Sequence, residues 1–132
     1  MNHDQLTHLA LSYPGTQLKY PFDPDLPVFY VGSKMFALLG HQEGFPSVNL
    51  KTTPEEAWML REAYPGTVLP GYHMNKQHWN TILLNGKVPS DILVGMLEDS
   101  YRLVFANLRK SERETIRPSI PVAAQAQEEW HD

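Results

Sequence analysis

Hydrophobic spacing along the chain changes period several times, and each change marks an element. Leu6, Leu9, Ala10 and Tyr13 recur at intervals of three and four, which predicts a short amphipathic helix over residues 4–13. Pro14-Gly15 ends it. The next stretch, Q-L-K-Y-P-F-D-P-D-L-P, holds three prolines, which allows a short edge strand and a loop but no helix. V-F-Y-V and K-M-F-A-L-L-G are apolar runs joined by Gly32-Ser33, a two-residue hairpin signal. S-V-N-L-K then alternates, with Val48 and Leu50 on one face and Ser47, Asn49 and Lys51 on the other, the pattern of a half-exposed strand.

T-T-P-E-E-A-W-M-L-R-E-A-Y-P-G reads as a helix. Thr53 is its cap, Pro54 its first residue and Glu56 the second half of a capping box. Trp58, Met59 and Ala63 are its expected buried side. W-N-T-I-L-L predicts another strand, and Asn85-Gly86 connects it to the longest helix, whose stripe is Leu93, Leu97, Val104 and Leu108. The order is helix, strands, helix, strand, helix. It predicts an α+β domain, with an antiparallel sheet of five to six strands packed against N- and C-terminal helices. The domain is expected to span residues 1–117. Residues 118–132, rich in alanine and glutamine, read as a flexible tail.

Composition narrows the function. At 132 residues the chain suits one domain with one core. No apolar run approaches the roughly 20 residues that span a bilayer, so no membrane partner is expected. The absence of cysteine excludes disulfides, thiolate metal sites and cysteine nucleophiles. With no secretory signal at Met1, it fits a cytoplasmic monomer. The net charge of −4 opposes tight non-specific binding to nucleic acid, although a local basic face is compatible with it.

Candidate chemistry centres on Y-H-M-N-K-Q-H-W, residues 72–79. His73 and His78 are five apart, so neither a helix nor a strand aims them at one point, and no metal or other cofactor is expected. Neither a G-x-S-x-G nor a glycine-rich phosphate loop is present, and no catalytic residue is assigned. Two binding readings remain. In the first, Lys34 beside the hairpin turn and Lys76 meet DNA phosphates, Asn75 and His78 reach base edges, and Trp79 stacks on a base. In the second, Lys51 before the Thr53 cap joins His73, Lys76 and His78 in an anion site for a phospho-ligand. The basic segment 102–117 or the tail offers a third possibility, a protein contact.

Four stretches carry a family resemblance: L-K-T-T-P-E, Y-H-M-N-K-Q-H-W-N-T-I, L-N-G-K-V-P and L-E-D-S-Y-R-L-V. Together they resemble the MmcQ/YjbR family over residues 5 to 115. The resemblance implies a frataxin-like (CyaY-like) α-β-α sandwich and DNA binding through a double wing. It implies no enzyme activity. The motif residues it carries over are Lys51, His73, Asn75, Lys76, His78 and Trp79.

Overall fold

A computed structural model describes residues 1–116. The tail expected at 118–132 lies outside the described residues. The chain runs α1 (His3–Leu11), β1 (Thr16–Lys19), β2 (Val28–Val31), β3 (Lys34–Gln42), β4 (Phe45–Lys51), α2 (Pro54–Ala63), β5 (Val68–Pro70), β6 (Trp79–Leu83), α3 (Ser90–Ala106) and α4 (Lys110–Ile116). All six strands form one antiparallel sheet in the order β1-β2-β3-β4-β6-β5. The fold is the α+β arrangement expected from the periodicity, with a hairpin at Gly32-Ser33. The strand missed in the sequence is β5, whose three residues are too few to show a period.

One face of the sheet presents Leu39, Val48, Leu50 and Ile82 to α1 and α3, and these residues close a single core. α1 enters through Leu6 and Ala10. A full capping box starts it: the Asn2 side chain accepts from the Gln5 amide, and the Gln5 side chain accepts from the Asn2 amide. α3 contributes Leu93, Met96, Leu97, Tyr101 and Val104. Tyr101 fills the centre, its ring edge-on to Phe36 at 5.3 Å and tilted against Tyr13 at 5.1 Å.

α3 is held to the sheet by a polar contact. Phe29 pairs with Ala37 and Tyr30 with Met35, so Phe36 is the extra residue of a bulge and its carbonyl leaves the ladder. The Ser100 hydroxyl, fully buried, donates to that carbonyl at 2.6 Å and accepts from the Lys51 amide at 2.9 Å. Three backbone and side-chain groups that would otherwise be buried unpaired satisfy one another.

Two expectations need correction. Ser47 and Asn49 are buried, so β4 is not half-exposed. The Tyr72 amide donates to the Thr81 hydroxyl, which donates to the Asn49 side-chain oxygen, and Leu26 packs over Gly40. Loops therefore cover the face turned from the helices. In α2 the buried side is not Trp58, Met59 and Ala63; Trp58 is 61% exposed and Met59 52%. α2 instead turns inward the stripe Ala57, Leu60, Arg61 and Tyr64. That stripe is partly polar because the strand beneath it presents Asn80, which binds both Arg61 and the Ala57 carbonyl.

Replacing Ser100 by alanine leaves two buried backbone groups without partners. The expected cost is about 1–3 kcal/mol, read as a lower urea midpoint.

Candidate functional site

Residues 71–79 form a closed loop rather than a simple turn into a strand. Asn75 organises it: its side-chain oxygen accepts from the Gln77 amide at 2.9 Å, and its carbonyl accepts from the His78 and Trp79 amides. The Lys76 ammonium reaches back to the Gly71 carbonyl at 3.3 Å. Arg61 of α2 pins the loop from below, donating to the Lys76 and Trp79 carbonyls and, at 2.7 Å, to Asn80. Gly71 donates to the Trp79 carbonyl at 2.9 Å, and a Cβ at Gly71 would stand 2.8 Å from the Trp79 Cβ, so only glycine fits.

This geometry separates the candidate residues. Asn75 and Lys76 each commit a side-chain atom to closing the loop. Trp79 is 7% exposed, so its ring packs within the fold and presents no face for a base. His73 has φ 58° and is exposed on the outer side of the loop, its ring 4.0 Å from that of Tyr72, which is 58% exposed. The hairpin turn is also not a free tip. Glu112 of α4 accepts from the Ser33 amide at 2.9 Å and the Ser33 hydroxyl at 3.1 Å, and Gly32 lies against Leu108.

Lys34, Lys51 and His78 do come together. They line one recess of about 360 Å³ with Thr52, Thr53, Pro54, Leu103 and Asn107. Five separate elements build it, the C-terminal end of α3 supplying Leu103 and Asn107. Lys51 ends β4, and His78 precedes β6 beside it, where its carbonyl accepts from the Thr52 amide at 2.7 Å. Thr53 caps the N-terminus of α2, its hydroxyl accepting from the Glu56 amide. Lys34 crosses from the start of β3 and donates to the Asn107 carbonyl at 2.9 Å, which leaves two of its N–H groups over. Among the described residues, the Lys51 ammonium and the His78 ring have no hydrogen-bond or ion-pair partner. No carboxylate lines the recess, so its field is positive, and the N-terminal end of α2 adds to it. Of the expected cluster of Lys51, His73, Lys76 and His78, the recess brings together Lys51 and His78; His73 and Lys76 lie outside it, and Lys34 joins.

Thr52, Leu103 and Asn107 were not foreseen, because two of them belong to a helix distant in sequence. Arg61 carried a weak signal, a cation in the last turn of α2, but nothing in the sequence points it at residues 76–80. Among the described residues, no group of three His, Asp or Glu side chains is placed to hold a metal ion.

Comparison with known proteins adds a name to the architecture. Residues 11–103 match the model of the YjbR family. The chain belongs to the YjbR family. YbdF of Escherichia coli O157:H7 is 35% identical over 116 residues, covering 88% of this chain and 94% of that protein. YjbR of Escherichia coli K12 is 29% identical over the same length, covering 88% and 98%. The crystal structure of DR2400 from Deinococcus radiodurans superposes with a TM-score of 0.81 at 36% identity, over 91% of this chain and 89% of that one. The stretch that matches the YjbR model includes Lys34, Lys51, Thr52, His78 and Leu103, and stops before Asn107 and α4.

Two outcomes follow. Gly71→Ala forces a clash with Trp79 and should cost about 1–3 kcal/mol in a denaturant titration. The hydrogen bond from the Ser33 hydroxyl holds the Glu112 carboxyl below its ordinary value of 4.5. A lowered folded value gives stability that is present above that pH and lost as the pH falls. Thermal melts of wild type and Glu112→Gln should therefore differ at neutral pH and converge below pH 4.5. A gap that persists in acid would show that the carboxylate charge is not what holds the turn.

Proposed function

We propose that this YjbR-family protein binds a phosphate-bearing ligand in the recess of Lys34, Lys51 and His78. The observation that supports it is the pair of unpartnered groups, the Lys51 ammonium and the His78 ring, in a concave site without a carboxylate. An ammonium that is neither paired nor fully solvated gains most from a compact dianion, and bonds between charged groups are about twice as strong as neutral ones. The reading takes the protein to be a cytoplasmic monomer.

DNA binding is the second reading. Its support is the exposed Tyr72 ring beside His73 at the outer side of the 71–79 loop, where a base could stack while a backbone phosphate meets Lys51. In that reading the loop and the Gly32-Ser33 hairpin act as the two wings.

Calorimetric titration with inorganic phosphate and with a short single-stranded oligonucleotide, each at two salt concentrations, tests both. The phosphate reading expects Lys51→Ala to weaken phosphate binding about tenfold or more. It expects His73→Asn to bind as wild type does, because His73 is exposed and lies outside the recess. Equal affinities for wild type and Lys51→Ala would sink it. The DNA reading expects salt-sensitive oligonucleotide binding that both Lys51→Ala and Tyr72→Ala weaken.

A further inference from the structure

We propose that the recess is the head of a longer trough, and that the trough takes a nucleoside monophosphate, phosphate at the cationic end and base over Gly95. The inference rests on the phosphate reading above and extends it to the rest of the ligand.

A second recess, of about 270 Å³, lies between α2 and α3 and shares two of its lining residues, Lys51 and Thr52, with the first. One stripe of α3 walls both: Ile92, Met96 and Asp99 belong to the second recess, Leu103 and Asn107 to the first. These residues recur at intervals of three and four, so they share one helix face. The two recesses are therefore consecutive stretches of one trough. From Leu103 back to Gly95 is eight residues, or about 12 Å along the helix.

The second recess differs in chemistry from the first. Leu60, Ile82, Ile92 and Met96 give it apolar walls, and the carboxylates of Glu56, Asp91 and Asp99 stand around it. Such a site suits a flat, largely apolar body that donates hydrogen bonds from its edge. A nucleobase with an exocyclic amine fits that description. An acyl chain has no donors for the carboxylates, and a second anionic group would be repelled by them.

Two local features have no structural account without a ligand. Gly95 sits in the interior of α3, where glycine is poorer than alanine for helix stability. A Cβ there would meet nothing within 4 Å, and Gly95 lines the second recess. Packing does not require the glycine; its effect is to keep the α3 wall of the trough clear for a flat group. Thr52, where the two recesses meet, is 8% exposed, and its hydroxyl has no hydrogen-bond partner. A buried hydroxyl without a partner is costly, and a sugar hydroxyl or phosphate oxygen passing the junction supplies one.

The test is calorimetry of the full chain with adenosine 5′-monophosphate, inorganic phosphate and a short oligonucleotide, on wild type, Lys51→Ala, Gly95→Ala and Gly95→Leu. The nucleotide should bind about tenfold or more tightly than inorganic phosphate. Gly95→Leu should remove most of that advantage and leave inorganic phosphate unaffected. Gly95→Ala should raise the melting temperature and weaken the nucleotide by a smaller factor, which separates blocked binding from a damaged fold. Equal affinities for the nucleotide and phosphate, or a Gly95→Leu variant that binds the nucleotide as wild type does, would overturn the trough and leave the phosphate reading standing. A Lys51→Ala variant with unchanged affinities would remove both. Binding of the oligonucleotide but not of the mononucleotide would assign the trough to nucleic acid and overturn this proposal.

Discussion

The seat of α3 depends on one hydroxyl. Ser100 is fully buried and bonds to the Phe36 carbonyl and the Lys51 amide at once. Those two groups lie just past the last β3–β4 pair, Ala37 with Leu50, where the bulge takes the Phe36 carbonyl out of the ladder and leaves the Lys51 amide opposite it unpaired. A buried backbone group without a partner is expensive, so neither can be left alone. A single serine satisfies both only at one depth and one rotation of the helix. Everything further along α3 inherits that position. Leu103, about one turn on, and Asn107, about two turns on, arrive over the end of β4 and the start of β3, where Lys51 and Lys34 stand. The recess is thus set by a core contact rather than by its own rim.

The polar motif at residues 72–79 divides into residues that build and residues that are left over. Asn75 nucleates the turn, Lys76 closes it on Gly71, and Arg61 ties its carbonyls to α2. Their work delivers the His78 backbone to the Thr52 amide, which fixes the spacing between the two recess-forming segments. His78 is the one polar side chain of the stretch that turns up in the recess. Density of polar residues in a sequence therefore marks a loop that needs many hydrogen bonds as readily as it marks a binding site.

The parts of the fold that sequence made legible were those with a sustained period. The α3 stripe, the Gly32-Ser33 hairpin and the Thr53-Pro54 helix start each carry a local signal, and each lies where that signal puts it. α2 misled because its large apolar residues, Trp58 and Met59, point outward, while its inward stripe includes Arg61. Periodicity assigns the apolar side to the core, but here the strand below offers Asn80, and a polar pair serves better than an apolar one. The site was half legible for a related reason. Lys51 and His78 end up adjacent across the β4–β6 pair, two strands that the pattern marked without pairing them, whereas Lys34, Thr52, Leu103 and Asn107 meet only once α3 is seated. That depends on the Phe36 bulge, which leaves no mark on the hydrophobic pattern.

Net charge and local charge lead in different directions here, and distance decides between them. The chain carries −4 overall, which disfavours a polyanion laid across a wide surface. Screening shortens the reach of exposed charges to about 8 Å at physiological ionic strength. A group held within a recess answers mainly to its immediate walls. Among the described residues, those walls carry two ammonium groups, an imidazole and a helix N-terminus, while Glu98 and Glu114 are engaged with Arg102 and Lys110 elsewhere. The acidic surplus lies outside this recess, and Glu56, Asp91 and Asp99 line the second one. A compact phosphate avoids that surplus, whereas an extended polyanion crossing the same surface must pass over it. On the phosphate reading proposed above, this charge distribution would favour a small anionic ligand by the same arrangement that would weaken a long one.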